Sequence, residues 1–277
     1  MYKKLEEIGI VPVVVIDDEN DACDLAKALS DGGLPCAEVT FRTPAAKGAI
    51  KRITEKYPDM IVGAGTILTI EQAKAAVDAG AKFIVSPGIN EAVVKYCVDN
   101  NIIIVPGCAN PSNIETALSY GINYVKFFPA EQAGGIDMIN ALSGPYTSVR
   151  FMPTGGINEK NIDKYLTNKK IFACGGSYMV NKSLIAAKRF DEITKLTKKA
   201  VNAMLKLSIE SIKDGNIVAS VANINRFIYH ASKQGVLFDF DNAKYVNNIL
   251  SEINVLNSDG SVKFTVKCLI LVKPTLA

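Results

Sequence analysis

From about residue 11 to residue 206, short apolar runs alternate with longer amphipathic stretches. The runs are "VPVVVID" (11–17), "AEVTF" (37–41), "IVGAGT" (61–66), "FIVSPG" (83–88), "IIIVPG" (102–107), "YVKFFPA" (124–130), "RFMPTGG" (150–156) and "IFACGGS" (171–177). They are rich in β-branched residues and apolar at their starts, as strands of a parallel sheet covered on both faces must be. The stretches between them carry helix signals. Thr43-Pro44 and Asn110-Pro111 each offer a cap followed by a proline suited to the first helical turn. Thr69 to Gln72 reads as a capping box, and Gly80 and Gly121 stand where helices should stop. Eight β-then-α units, spaced by roughly 20–25 residues, predict an α/β fold of the (β/α)8 TIM-barrel type. An open doubly wound sheet is the alternative, but no strand leads into a GxGxxG fingerprint.

The runs are asymmetric. Their ends are rich in glycine and proline: "GAGT", "SPG", "PGCA", "PAE", "PTGG", "GGS". Such residues let the backbone approach a ligand closely, and in a barrel all eight ends share the face where active sites are built. Two of the apolar runs also hold charge. In "YVKFF", alternation sets Lys126 opposite to Val125 and Phe127, hence inward if those two face the helices. An enclosed lysine needs a partner or must lose its charge, and a neutral amine attacks carbonyls. That is Schiff-base chemistry. In "AEVTFRT", Glu38, Thr40 and Arg42 share one parity and can face inward at rising height. A carboxylate there can move protons on and off a substrate, and an arginine nearer the mouth can grip a carboxylate in bidentate fashion. Thr66 offers a hydroxyl at the next strand end, or simply caps a helix. The glycine pairs of the last two strands, with Gly155, Gly156, Gly176 and Ser177, suit a phosphate held by backbone N–H groups.

Composition narrows the choice. The chain has 277 residues, 48% hydrophobic and 21% charged, as a soluble globular protein does. A net charge of +3 gives no reason to expect a nucleic-acid partner. The early run "IGIVPVVVI" is too short to span a bilayer and contains proline, so no membrane association is expected. "MYKKLEEIG" lacks a signal-peptide core, and the 6 cysteines form no CxxC pair, so reduced buried thiols in a cytoplasmic protein are expected. The single histidine, His230, speaks against a histidine triad or a multi-histidine zinc site. After residue 206 the texture changes to strand, helix, strand and then a hairpin with "SDG" in its turn, a small α+β extension over 207–277.

Taken together, "AEVTFRT", "IVGAGTIL", "FIVSPG", "YVKFFPAE", "GPY…RFMPTGGI" and "CGGSYMV" resemble class I 2-keto-3-deoxy-6-phosphogluconate (KDPG) / 4-hydroxy-2-oxoglutarate aldolases, in the family's order and over roughly residues 5–204. The resemblance implies that Lys126 forms the Schiff base with pyruvate and that Glu38 is the general acid and base through water. It implies that Arg42 and Thr66 bind the carboxylate end, that Pro87 and Phe128 line the pocket, and that Gly155, Gly156 and Ser177 receive the phosphate. It also implies no metal and no organic cofactor, a small keto-acid as the binding partner, and a homotrimer. Two departures stand out. Many relatives place a basic residue at the end of the first strand, where this chain has Asp17 and Asp18. Either these point away from the phosphate or the preference for a phosphorylated substrate is weakened. The tail, faintly similar to half of a glyoxalase-type module without its metal ligands, has no counterpart in the compact family. The alternative functions are the same chemistry on the phosphogalactonate epimer, or a non-catalytic barrel that binds phosphorylated metabolites, although a binder has no need of an internal lysine. A thiamine-phosphate-synthase-like barrel fits poorly, since it predicts a metal-binding aspartate at a strand end.

Overall fold

Each of the eight apolar runs forms a strand in the computed structural model, which describes residues 1–213 and 216–268. The strands are β1 (Ile10–Val14), β2 (Cys36–Thr40), β3 (Ile61–Gly65), β4 (Phe83–Val85), β5 (Ile104–Val105), β6 (Tyr124–Phe127), β7 (Arg150–Pro153) and β8 (Cys174–Gly176). Ten helices accompany them: α1 (Tyr2–Ile8), α2 (Ala22–Asp31), α3 (Ala46–Lys56), α4 (Ile70–Asp78), α5 (Glu91–Asp99), α6 (Pro111–Ser119), α7 (Gly135–Ser143), α8 (Ile162–Leu166), α9 (Lys182–Ala186) and α10 (Phe190–Leu205). Every strand pairing in this part is parallel. Six strands run in the order β5-β4-β3-β2-β1-β8, and β6 pairs with β7. Single bridges join the two sets, Gly107 to Lys126 on one side and Phe151 to Ile171 and Thr154 to Gly175 on the other. The sheet therefore curls so that pairing passes through all eight strands in chain order and returns from β8 to β1.

The strands are shorter than the apolar runs that announce them. Pro87, Pro106 and Pro129 cannot donate to a ladder, and they follow β4, β5 and β6 closely, so the runs leave the sheet there. The helix signals mostly hold. Asn110 accepts from the Asn113 N–H with Pro111 opening α6, and Thr69 accepts from the Gln72 N–H. Gln72 reaches back to the Leu68 N–H rather than to that of Thr69. Gly80 and Gly121 have φ of 98° and 74°. Thr43 is the exception. Its hydroxyl donates to the Ile16 carbonyl, tying the end of β2 to that of β1, and α3 starts later with Ala45 as its cap.

α1 closes the end of the sheet where strands begin. Tyr2 stacks on Tyr124 at 4.2 Å between ring centroids, Phe172 meets both edge-on, and Glu6 pairs with Arg150 at 2.7 Å. With that end filled by aromatic rings, the glycine- and proline-rich ends form the other face. All six cysteines are free thiols, five of them buried, and burial pushes Cys97 up to about 11 and Cys108 to about 12. No helix among the described residues is long and apolar enough to cross a membrane.

The chain divides into two compact units, Met1–Val201 and Asn202–Ala277. The second has a five-stranded sheet of β9 (Ser208–Lys213), β10 (Asn216–Val221), β11 (Leu237–Val246), β12 (Ile249–Leu256) and β13 (Val262–Cys268), in the order β11-β12-β13-β10-β9. Its helix α11 (Ile224–Ser232) buries Phe227 in a cluster with Val221, Ile253, Val255 and Val266. The stretch expected as strand, helix, strand begins with two antiparallel strands, β9 and β10, rather than one. The hairpin with "SDG" in its turn is β12–β13, and the run beyond Cys268 lies outside the described residues.

Candidate active site

Lys126 lies in the middle of β6, held by its backbone on both sides. Its N–H donates to the Pro106 carbonyl (2.8 Å), its carbonyl accepts from Cys108 (2.7 Å), and on the β7 side it is in register with Met152. Val125 and Phe127 are fully buried among apolar groups, Phe127 edge-on to Phe151. Alternation then turns Lys126 to the inside of the curled sheet, where it is 3% exposed. Glu38, in β2, is 0% exposed, and its Oε1 lies 3.5 Å from Lys126 Nζ. Neither Glu38 oxygen hydrogen-bonds to another group among the described residues. The ion pair is what offsets the burial of both charges, and removing either partner would strand the other. The Phe128 ring centroid lies 5.2 Å from the ammonium, a cation–π distance.

Space for the carboxylate comes from β3. A Cβ on Gly65 would stand 2.1 Å from Glu38 Oε1, so this strand position admits only glycine while Glu38 points inward. Beyond it, Thr66 has φ 57°, a left-handed conformation that is rare for a β-branched residue. This turn brings its Oγ1 to 3.1 Å from Arg42 Nε, which donates to it. Arg42 is exposed and lies in the turn after β2, so strand parity does not extend to it. The hydrogen bond to Thr66, across the ends of β2 and β3, orients it instead. Thr40, of the same parity as Glu38, is buried and donates to the Val14 carbonyl, a structural bond between β2 and β1.

The other expected residues fall at neighbouring strand ends. Pro87 is half-buried after β4, and its carbonyl packs against Gly107, the residue bridged to Lys126. Gly155 packs on Phe128 and Pro129, and its carbonyl accepts from the Glu131 N–H at 3.1 Å. Gly155 and Gly156 have φ of 100° and 78°. The Gly156 carbonyl accepts from both the Asn158 and Asn161 amides, at 3.0 and 2.9 Å. Gly176 is buried at the end of β8 in register with Pro12, and Ser177 follows, exposed. The Thr154–Gly175 bridge sets the two glycine loops side by side.

Sequence reasoning passed over the residues that hold the first of these loops. Glu131 receives a hydrogen bond from Tyr165 and pairs with Lys164 at 3.1 Å, and its side chain lies against Gly156. The Tyr165 hydrogen bond holds the Glu131 carboxyl below its ordinary value, whereas burial, followed by that same bond, raises the Tyr165 phenol. The "AE" after "YVKFFP" was the only signal, and a charge just past a strand end ordinarily signals exposure.

An inward amine beside an inward carboxylate, with a cation and a hydroxyl at one side and glycine turns at the other, can take a small anionic carbonyl compound. The KDPG and KHG aldolase family model matches residues 1–196. A 2-dehydro-3-deoxy-phosphogluconate aldolase of Treponema pallidum is 47% identical over 201 residues, covering 73% of this chain and 96% of that protein. One from Haemophilus influenzae is 48% identical over 202 residues, 73% and 95% of the two chains. Among solved structures, a KDPG aldolase of Legionella pneumophila with pyruvate captured as a covalent carbinolamine intermediate superposes with TM-score 0.69 at 39% identity, covering 72% of this chain and 97% of that one. The chain belongs to the KDPG and KHG aldolase family.

Proposed function

We propose that the first unit, read as residues 1–206, is a (β/α)8 barrel that cleaves 2-dehydro-3-deoxy-6-phosphogluconate reversibly to pyruvate and glyceraldehyde 3-phosphate through a Schiff base on Lys126. Family membership makes the chain a carbon–carbon lyase, an aldolase. The observation that carries the assignment of the nucleophile is the burial of Lys126 within 3.5 Å of buried Glu38.

Once Lys126 has shed its proton to water, the free Nζ amine adds to the C2 carbonyl, and the carbinolamine hydroxyl, protonated in turn, leaves as water to give an iminium. Glu38 takes the proton of the C4 hydroxyl, directly or through water, as the C3–C4 bond breaks. The bonding pair moves toward the iminium nitrogen, so the aldehyde leaves and an enamine remains. Returning the proton to C3 and hydrolysing the iminium release pyruvate and the free lysine. Arg42 and Thr66 hold the carboxylate, Pro87 and Phe128 line the pocket, and Gly155, Gly156, Gly176 and Ser177 receive the phosphate. The same steps on 4-hydroxy-2-oxoglutarate give pyruvate and glyoxylate. The iminium itself is the electron sink. We further propose a cytoplasmic homotrimer, with residues 207–277 as an accessory element. Sedimentation equilibrium at three times the chain mass would support the trimer.

Borohydride reduction in the presence of pyruvate tests the core of the reading. A stable adduct is expected on the peptide holding Lys126, absent from Lys126→Ala. An unmodified Lys126 after reduction would overturn it.

A further inference from the structure

The chain that leaves β6 stays bonded to the turn that leaves β7. The Phe127 carbonyl accepts from Thr154 at 2.9 Å, the Thr154 carbonyl from Ala130 at 2.8 Å, and the Gly155 carbonyl from Glu131 at 3.1 Å. Glu131 adds its side chain to these backbone bonds. A Cβ on Gly156 would stand 2.7 Å from both Cβ and Cγ of Glu131, so the methylene group of Glu131 fills the space a side chain would need. The carboxylate continues to α8, where it accepts from Tyr165 and pairs with Lys164. Tyr165 is fully buried, and a buried hydroxyl needs a partner. Gly135, with φ 59° at the start of α7, leaves room for this bond: a Cβ there would stand 3.0 Å from Tyr165 Oη and 3.3 Å from Glu131 Oε1. On its other side the turn touches the pocket wall, since a Cβ on Gly155 would stand 3.4 Å from Phe128 Cδ2.

We infer that Glu131 is a positioning residue for the half of the substrate beyond the bond that breaks: the Tyr165–Glu131 hydrogen bond fixes the β7 turn at its distance from Lys126. The inference rests on the Schiff-base reading, with Gly155 and Gly156 facing that half. The turn cannot fix itself. Two successive glycines have the widest backbone freedom and no side chains to pack, so the brace must come from a neighbour. Glu131 supplies it from the strand that carries Lys126, five positions along the chain. One end of the brace is therefore tied to the amine's own strand and the other to a buried group in α8. A substrate that spans from Lys126 to the turn needs this separation to hold, because misplacing one end by a fraction of an ångström costs rate at the other. A substrate confined to the lysine does not.

The test compares kcat/KM for 2-dehydro-3-deoxy-6-phosphogluconate with exchange of pyruvate methyl hydrogens for solvent deuterium. Pyruvate lacks the far half, so its exchange reads Lys126 and Glu38 and shows that a variant is folded. The ratio of cleavage to exchange should fall about tenfold in Glu131→Ala and in Tyr165→Phe, and the double variant should fall no further, since both changes remove one bond. Glu131→Gln keeps an oxygen that accepts from Tyr165, so its ratio should stay within about threefold of the wild type. A merely structural support would lower cleavage and exchange together. An unchanged ratio in Glu131→Ala and Tyr165→Phe, or loss of exchange in both, therefore overturns the inference. So do additive losses in the double variant, or a ratio in Glu131→Gln as low as in Glu131→Ala. Exchange absent from the wild type overturns the Schiff-base reading instead, and exchange without cleavage overturns the phosphorylated substrate and this inference with it.

Discussion

Glu38 shows how much a single side chain can decide in this fold. It sits wholly buried with one charged neighbour, and Gly65 gives it room. Glu38→Gln keeps the shape but removes the carboxylate proposed to act as the base. Pyruvate–deuterium exchange should fall by about 10²- to 10⁴-fold, the usual contribution of a positioned acid–base group, while borohydride still traps pyruvate on Lys126. Loss of trapping together with exchange would show that Glu38 serves folding rather than proton transfer. Lys126 and Glu38 were legible in the sequence because each is a charge on alternating positions of an otherwise apolar strand. Glu131 was not, because its partners Tyr165 and Lys164 are more than thirty positions away. Its depressed carboxyl makes a second prediction. A group whose folded value lies below its unfolded one stabilises above the unfolded value and loses that contribution as acid protonates it. The difference in Tm between wild type and Glu131→Gln should therefore be full above the ordinary glutamate value of 4.5 and close as pH falls through the lower folded value. A difference that persists into acid would assign the effect to shape instead.

The strands and their ends obey different rules, and the sequence displays them unequally. Apolar, β-branched starts made all eight strands visible, yet the same runs overstated their lengths. β5 is only Ile104–Val105 although six residues read as strand, since Pro106 removes a donor and Gly107 beyond it makes only a single bridge, to Lys126. Short N-terminal α1 has no side-chain cap at Met1, and the stacking of Tyr2 on Tyr124 fastens it to the sheet. The sheet's closure depends on single bridges, and Gly107 makes one of them with Lys126. A Cβ there would stand 2.1 Å from the Pro87 carbonyl oxygen, backbone against backbone with no flexible side chain to yield. Gly107→Ala should cost about 1–3 kcal/mol of stability, the range for overpacking, measured as a lowered denaturant midpoint. It should also slow cleavage, because the strand end that must shift is bonded to the backbone of Lys126. Unchanged stability would mean that the ends of β4 and β5 move apart freely.

The two units differ in how much of them a sequence can display. The first repeats one βα pattern eight times, so each unit reinforces the reading of the next. The second has no repeat, and its start hides two strands in one polar stretch, with Ile209 and Ile212 exposed on the edge strand β9. Its Asn247–Asn248 turn, with φ of 50° and 62°, blurs the division between β11 and β12, where asparagine tolerates the left-handed region. Yet the second unit has its own buried cluster around Phe227, Ile253 and Val266. Relatives aligned over 201 and 202 residues of this chain are covered over 96% and 95% of their own lengths. Those proteins are thus matched over nearly their whole length by a stretch of this chain about as long as the first unit. A chain ending after Lys206 should accordingly fold, show a single cooperative thermal transition, and cleave 2-dehydro-3-deoxy-6-phosphogluconate with kcat/KM within about twofold of the full chain, a change under 0.5 kcal/mol in transition-state terms. A truncated chain that is folded but tenfold slower would give residues 207–277 a part in the reaction. One that cannot fold would make them a support of the first unit, and either result would replace the accessory reading with a specific dependence to be mapped.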